Sequence, residues 1–250
     1  MSSTLCFALL ALCATTLIDT AKLPETFERC SRKDPNLNEC LKSAVQKAIK
    51  ELKPGLPSLH MLPIDPLDIT KIEMQEGKGR PVNMKLILSN AKTFGLGDVV
   101  IHEVRADLNN RVLEANGLLP HAVIESDYEM DGQFLVLPIK GKGKNLLNFT
   151  ELTAEIKMKA EEMKKDGENY WNFTTFDVII KDLEKFEVNF ENLFNGDKEL
   201  GDNTNKVLNE NWKTFWEELK PTFEETFGKI FLQISNQLFS RVPVNDIFLE

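Results

Sequence analysis

The feature that most constrains this chain lies near its C-terminal end. Between about residues 203 and 239, Leu208, Trp212, Phe215, Trp216 and Leu219 recur at helical spacing. The stripe continues through Phe223, Phe227, Ile230, Phe231, Ile234 and Leu238. At about 100° per residue these side chains share one face. A helix of that length runs roughly 55 Å at 1.5 Å per residue, which exceeds the diameter of a compact domain of this size. Pro221 falls opposite the stripe, so the pattern predicts a kink on the wet side and not a break. An apolar face that long needs an equally long cover.

The cover is legible upstream as β-structure. Val82, Met84, Leu86 and Leu88 alternate with Asn83, Lys85 and Ser89, and the alternation ends at Gly95, Leu96, Gly97 and Asp98. Further runs span 99–108 and 112–119, then Tyr128 and Met130 lead to a turn at Asp131 and Gly132. The run 134–139 ends at Gly141, Lys142 and Gly143. Leu152, Ala154, Ile156, Met158 and Ala160 mark one face of a long strand. Asp166 and Gly167 follow, then runs over 170–180 and 186–190. Alternating strands joined by Gly, Asp and Asn turns predict an antiparallel meander. The expected fold class is α+β: a long C-terminal helix wrapped by a strongly curved antiparallel sheet. Side chains fill the space between a curved sheet and a helix with difficulty, so a tunnel or cavity is expected there.

The N-terminal third adds a leader and a clamp. The run from Thr4 to Ala14 is apolar over about the length of a signal-peptide core and is too short to span a bilayer. Residues 1–21 are read as a signal peptide, leaving 22–250 as one domain, secreted and without a stable membrane anchor. Cys6 and Cys13 leave with the leader. Cys30 and Cys40 remain as one even pair, which reads as a disulfide in a secreted chain. Its short loop contributes about 3 kcal/mol on the chain-entropy model. Asn38 is the expected cap of a short helix from about 39 to 53, with Leu41, Val45, Ala48, Ile49 and Leu52 as its stripe. Pro54, Pro57, Pro63 and Pro66 keep the next stretch irregular.

Charge and motifs exclude several functions. The net charge is −9, and the basic segments 140–144 and 157–165 are short and mixed with Gly or Glu. Nucleic-acid binding needs concentrated positive charge and is not expected. No nucleophile elbow of the Gly-x-Ser-x-Gly type is present, and no His-Glu-x-x-His zinc motif. His60, His102 and His121 are scattered, and Glu161, Glu162, Glu224 and Glu225 read as solvated faces. No catalytic residue, metal site or cofactor is therefore expected. Gly141, Lys142, Gly143 and Lys144 lack the spacing of a phosphate loop and read as a turn after a strand. Asn148 and Asn172 each begin an Asn-x-Thr sequon and are candidate glycosylation sites. On the helix, Phe223, Phe227, Ile230, Phe231 and Ile234 are the candidate ligand-facing residues. Tyr128 and Tyr170 are candidate polar anchors, with nothing to choose between them.

Four stretches carry a family resemblance: the Cys30 and Cys40 pair before a short helix, "LPIDPLDITKI" at 62–72, "GQFLVLPIKGKG" at 132–143, and "NLFNGDKELGDNTNKVLNENWKTFWEELKP" at 192–221. The mature chain resembles the takeout and juvenile-hormone-binding-protein family of insects. The resemblance implies a sheet wrapped around a C-terminal helix, related to lipid-transfer domains, and a secreted carrier that holds a hydrophobic ligand in a tunnel. The hormone-binding branch has a second disulfide; this chain has no further Cys and looks more like takeout proper. The expected ligand is juvenile hormone, a fatty acid or an isoprenoid lipid, bound by a monomer, with an unidentified receptor as a further candidate partner. The competing readings are a lipid-recognition protein at membrane or microbial surfaces, which wants a cationic tip, and a hydrolase of lipidic hormones, which lacks its nucleophile motif.

Overall fold

The computed structural model describes residues 21–74 and 82–250, so all of the expected leader except Ala21 lies outside it. A two-residue strand β1 (Cys30–Ser31) leads into helix α1 (Leu37–Leu52). Strands β2 (Leu67–Met74), β3 (Val82–Phe94) and β4 (Val100–Asp107) follow. Three long strands come next: β5 (Val112–Phe134), β6 (Leu137–Lys165) and β7 (Glu168–Phe190). The chain closes with α2 (Lys198–Glu210), α3 (Trp212–Phe239), α4 (Val244–Ile247) and β8 (Phe248–Leu249), the last pairing with β1 in parallel.

The large sheet is antiparallel with order β2-β3-β5-β6-β7. One flank of β5 is shared: its first half pairs with β4 and its second half with β3. With 29 residues, β6 is about 95 Å of chain at about 3.3 Å per residue. No domain of this size holds such a strand flat, so strand twist is spent on rolling the sheet. Helix α3 packs along β7 and also reaches β2 and β3 on the opposite side of the sheet. The sheet therefore wraps the helix, and the expected α+β architecture is the observed one.

Side-chain amides seal the sheet's flanks. Along β7, Asn205 exchanges two hydrogen bonds with the Phe190 backbone and Asn209 two with Val188. Asn236 does the same for Phe173, and the Glu224 carboxylate accepts from the Ile180 N–H at 2.7 Å. Glu224 is thus an edge ligand and not a solvated charge. Opposite, Gln46 of α1 donates to the Val99 carbonyl and accepts from the Ile101 N–H, both at 2.8 Å. Asn38 does not cap α1, which starts after Asn36; its Oδ1 accepts from Ala106 N–H of β4 at 3.2 Å. An unpaired strand edge is a liability for aggregation, and these contacts satisfy it within the chain.

Four local expectations are corrected. The helical stripe is interrupted at Asn211 (φ −112°, ψ 28°), whose side-chain Nδ2 donates to the Val207 carbonyl at 2.9 Å and shares that acceptor with its own helical N–H bond at 3.1 Å. Pro221, by contrast, is exposed and sits inside α3 without ending it, as the pattern predicts. The β5–β6 hairpin turns at Leu135 and Val136, not at Asp131 and Gly132, which stay in β5. Gly141, Lys142 and Gly143 also continue a strand, β6. Glycine is needed at 141 because a Cβ there would lie 2.5 Å from the Tyr128 hydroxyl. The alternation along β3 breaks earlier than Gly95: Asn90 adopts φ 53° and the register with β5 shifts between Ser89 and Lys92, a β-bulge.

The main core gathers Phe149 and Phe186 of the sheet with Phe215, Trp216 and Phe223 of α3 in ring-to-ring contacts. A second core, of Trp171, Phe173, Phe239 and Phe248, closes the far end of α3. It packs with Cys30, which is bridged to Cys40 on the first turn of α1 (Cα–Cα 5.9 Å).

Candidate functional site

Between the two aromatic cores the filling gives out. A cavity of about 310 Å³ lies under the middle of α3. The helix contributes Trp216, Phe223, Phe227, Phe231 and Ile234. Facing them, the sheet presents among others the short residues Ala115 and Ala122 of β5 and Ala154 of β6; Gly117 of β5 is also on the wall, where a Cβ would lie 2.7 Å from the Val100 carbonyl oxygen. The sheet wall also carries Ile124, Phe149, Leu152 and Phe176, and the short residues among them help to leave the space open. The volume falls at the lower end of the usual range for ligand pockets, about 300–1,000 Å³.

The end of α1 and two loops complete the wall with Ile49, Leu52, Ile64, Leu96 and Val99. Asp65 holds these parts together. Its carboxylate accepts from the N–H groups of Gly95 and Gly97 at 3.0 and 3.1 Å, and Lys53 at the end of α1 lies between Asp65 (3.7 Å) and Asp98 (2.6 Å). The Asp98 hydrogen bond raises the Lys53 pKa. The Pro-rich stretch thus ties the helix end to the β3–β4 connection beside the cavity.

Among the described residues, the wall carries no charged side chain. Its polar members are Thr93, Asn116 and Ser235. The Asn116 amide already donates to Glu103 at 3.0 Å. Thr93 is 1% exposed and its Oγ1 has no hydrogen-bond partner.

Of the five helix residues singled out from sequence, the structure puts four on the wall; Ile230 is partly buried against the main core instead. Neither tyrosine is on the wall. Tyr128 is buried and donates to the Glu191 carbonyl at 2.6 Å; burial, reinforced by the Glu191 carboxylate, pushes its pKa up to about 12. Tyr170 is buried as well, and burial raises its pKa. The sheet half of the wall was missed because Ala and Gly in a strand read as weak strand signal; their spacing at 115 and 117 was the available clue. His60, His102 and His121 are all exposed on separate elements, and among the described residues no group of three His, Cys, Asp or Glu is placed to hold a metal. Asn172 is exposed on β7 and Asn148 is partly buried on β6.

A rolled sheet around one long helix, with an uncharged apolar cavity between them, is the build of a carrier of hydrophobic ligands. The chain belongs to the haemolymph juvenile hormone binding protein (JHBP) family, whose sequence profile matches residues 6–249. It is 28% identical over 233 residues to the circadian clock-controlled protein daywake of Drosophila melanogaster, covering 90% of this chain and 88% of that protein. It is 21% identical over 222 residues to a putative beta-carotene-binding protein of Schistocerca gregaria, covering 86% and 84%. The crystal structure of Takeout 1 of Epiphyas postvittana superposes with a TM-score of 0.79 at 29% identity, covering 89% of this chain and all of that one.

Proposed function

We propose that residues 22–250, freed of a leader at 1–21, are secreted as a monomer that carries an elongated hydrophobic ligand in a tunnel under α3. The ligand classes proposed are juvenile hormone, acyl lipids and isoprenoid lipids. The observation that carries this reading is the apolar cavity of about 310 Å³ with no charged side chain on its described wall. The family membership and the Takeout 1 likeness support it. Phe223, Phe227, Phe231 and Ile234 are assigned to the ligand contact, and Asn148 and Asn172 as acceptors for glycans.

The energetics suit a carrier. An apolar chain gains about 0.8 kcal/mol per methylene on leaving water, so fifteen methylenes give roughly 12 kcal/mol. Lost freedom consumes on the order of 4–15 kcal/mol of it. At the low end of that cost the balance is about 8 kcal/mol, which corresponds to micromolar affinity. Binding, not catalysis, is the proposed activity. A role at membrane or microbial surfaces would call for a cationic tip, yet Lys140, Lys142 and Lys144 near the β5–β6 hairpin pair with Asp131, Glu129 and Asp127 across the strands.

The test is native mass spectrometry of protein secreted from its own cells. A carrier flies with a stoichiometric lipid that solvent extraction releases. Protein that is folded, lipid-free as secreted, and unable to take up any apolar probe would refute the reading.

A further inference from the structure

We infer that the Thr93 hydroxyl is the polar anchor of this cavity, and that it selects a neutral oxygen-bearing lipid (an alcohol, ketone or ester) over an ionised carboxylate of equal chain length. The inference rests on the carrier reading above and makes its ligand class narrower.

The position of Thr93 is built by the fold. Along β3, Met84, Leu86 and Leu88 point into the core. Unbroken alternation would next turn Asn90 and Lys92 inward. The bulge at Asn90 moves the pattern by one residue, so Ala91 and Thr93 are buried while Lys92 is exposed and faces Asp68 at 3.8 Å. Bulges re-aim side chains in this way. A hydroxyl thus stands where a charged amine would have stood.

That hydroxyl is unsatisfied in the protein alone. Its Oγ1 is buried, has no hydrogen-bond partner, and belongs to a residue of the cavity wall. Buried polar groups are seldom left so, and each exception calls for a partner. The Oγ1 atom has almost no accessible surface, so a ligand oxygen in the cavity supplies one after the Thr93 side chain rotates about χ1. A carbonyl accepts the hydroxyl proton; an alcohol can accept or donate.

The same wall disfavours an anion. A carboxylate brought to Thr93 would leave water for a space whose described wall has three neutral polar members, Thr93, Asn116 and Ser235, and no Lys, Arg or His. Burial of an unpaired charge is far more costly than burial of a neutral ester or alcohol.

The experiment is displacement of N-phenyl-1-naphthylamine from delipidated protein at pH 8 by dodecan-1-ol, methyl dodecanoate and sodium dodecanoate. Wild type should bind the alcohol and the ester at least about tenfold tighter than the ionised acid. Thr93→Val keeps the shape and removes the hydroxyl; it should weaken the alcohol and ester by about 5–10-fold, after correction for each protein's own naphthylamine affinity. Thr93→Ser, which keeps the hydroxyl, should retain the wild-type preference. Equal alcohol and ester affinity in wild type and Thr93→Val, or dodecanoate binding as tightly as its methyl ester, would overturn the inference while leaving the carrier intact. Failure of folded wild type to bind the naphthylamine or any of the three ligands would overturn both.

Discussion

Asn236 of α3 grips the backbone of Phe173 from the side: its Oδ1 accepts the Phe173 N–H at 2.7 Å and its Nδ2 donates to the Phe173 carbonyl at 2.9 Å. One side chain thereby stands in for the missing neighbour of an edge strand. Asn205 and Asn209 repeat the device on Phe190 and Val188, so the helices run beside β7 as a further strand would. Asn236→Ala removes two such bonds next to a residue that is 2% exposed and should cost about 2–3 kcal/mol. Asn236→Asp should do no better, because its second oxygen then faces the Phe173 carbonyl. Urea melts measure both, with the exposed Glu217→Ala as a control that should move stability by less than about 0.5 kcal/mol.

Close approach of helix and strand also needs Gly228. A Cβ there would lie 2.7 Å from the Phe176 carbonyl oxygen. In an open helix, Gly→Ala gains about 1 kcal/mol. Here the clash should reverse the sign, so Gly228→Ala is expected to destabilise by about 1–3 kcal/mol. Phe176 is part of the cavity wall, so the same variant should weaken ligand binding. A higher melting temperature in Gly228→Ala would show that helix and strand are not this close.

Tyr128 gives the protein an alkaline limit. Its phenol, held up to about 12 by burial and Glu191, titrates near 10 when unfolded. Below about pH 10 it is protonated in both states and its contribution is whole. Between about pH 10 and 12 the unfolded chain loses the proton that the folded chain keeps, so stability falls with rising pH, by about 2–3 kcal/mol in all. Tyr128→Phe loses the bond to the Glu191 carbonyl, costing about 1 kcal/mol near neutrality. It should also show a shallower decline than wild type in melts from pH 9 to 12. Parallel pH curves would contradict the assignment.

What could be read from residues alone divides along physical lines. The helix stripe and the long strands were legible because burial on one face imposes a period, and Trp216 and Phe223 repeat it as surely as Met84 and Leu86 do. The departures from period were not. Asn211, Asn90 and Gly141 owe their conformations to partners distant in sequence or to local side-chain bonds, and composition does not reveal which partner is present. Loop reasoning therefore put turns at Gly132 and Gly141, where the strands continue. For the cavity, the aromatic side was visible and the small-residue side was not, since an alanine that leaves space looks the same in sequence as one that packs. Thr93 was hidden by the bulge that turns it inward.

The central claim is that the space between α3 and the sheet holds an apolar chain, and a length series tests it most directly. Displacement of a fluorescent apolar probe would be measured for methyl esters of increasing chain length in wild type, Phe227→Ala and Ala154→Phe. Affinity should climb in wild type by up to about fourfold per methylene, the equivalent of about 0.8 kcal/mol, until the cavity is full. The optimum should move to longer chains when Phe227 is cut back and to shorter ones when Ala154 is enlarged. Three folded proteins with one identical length profile, or with no binding at any length, would contradict the account.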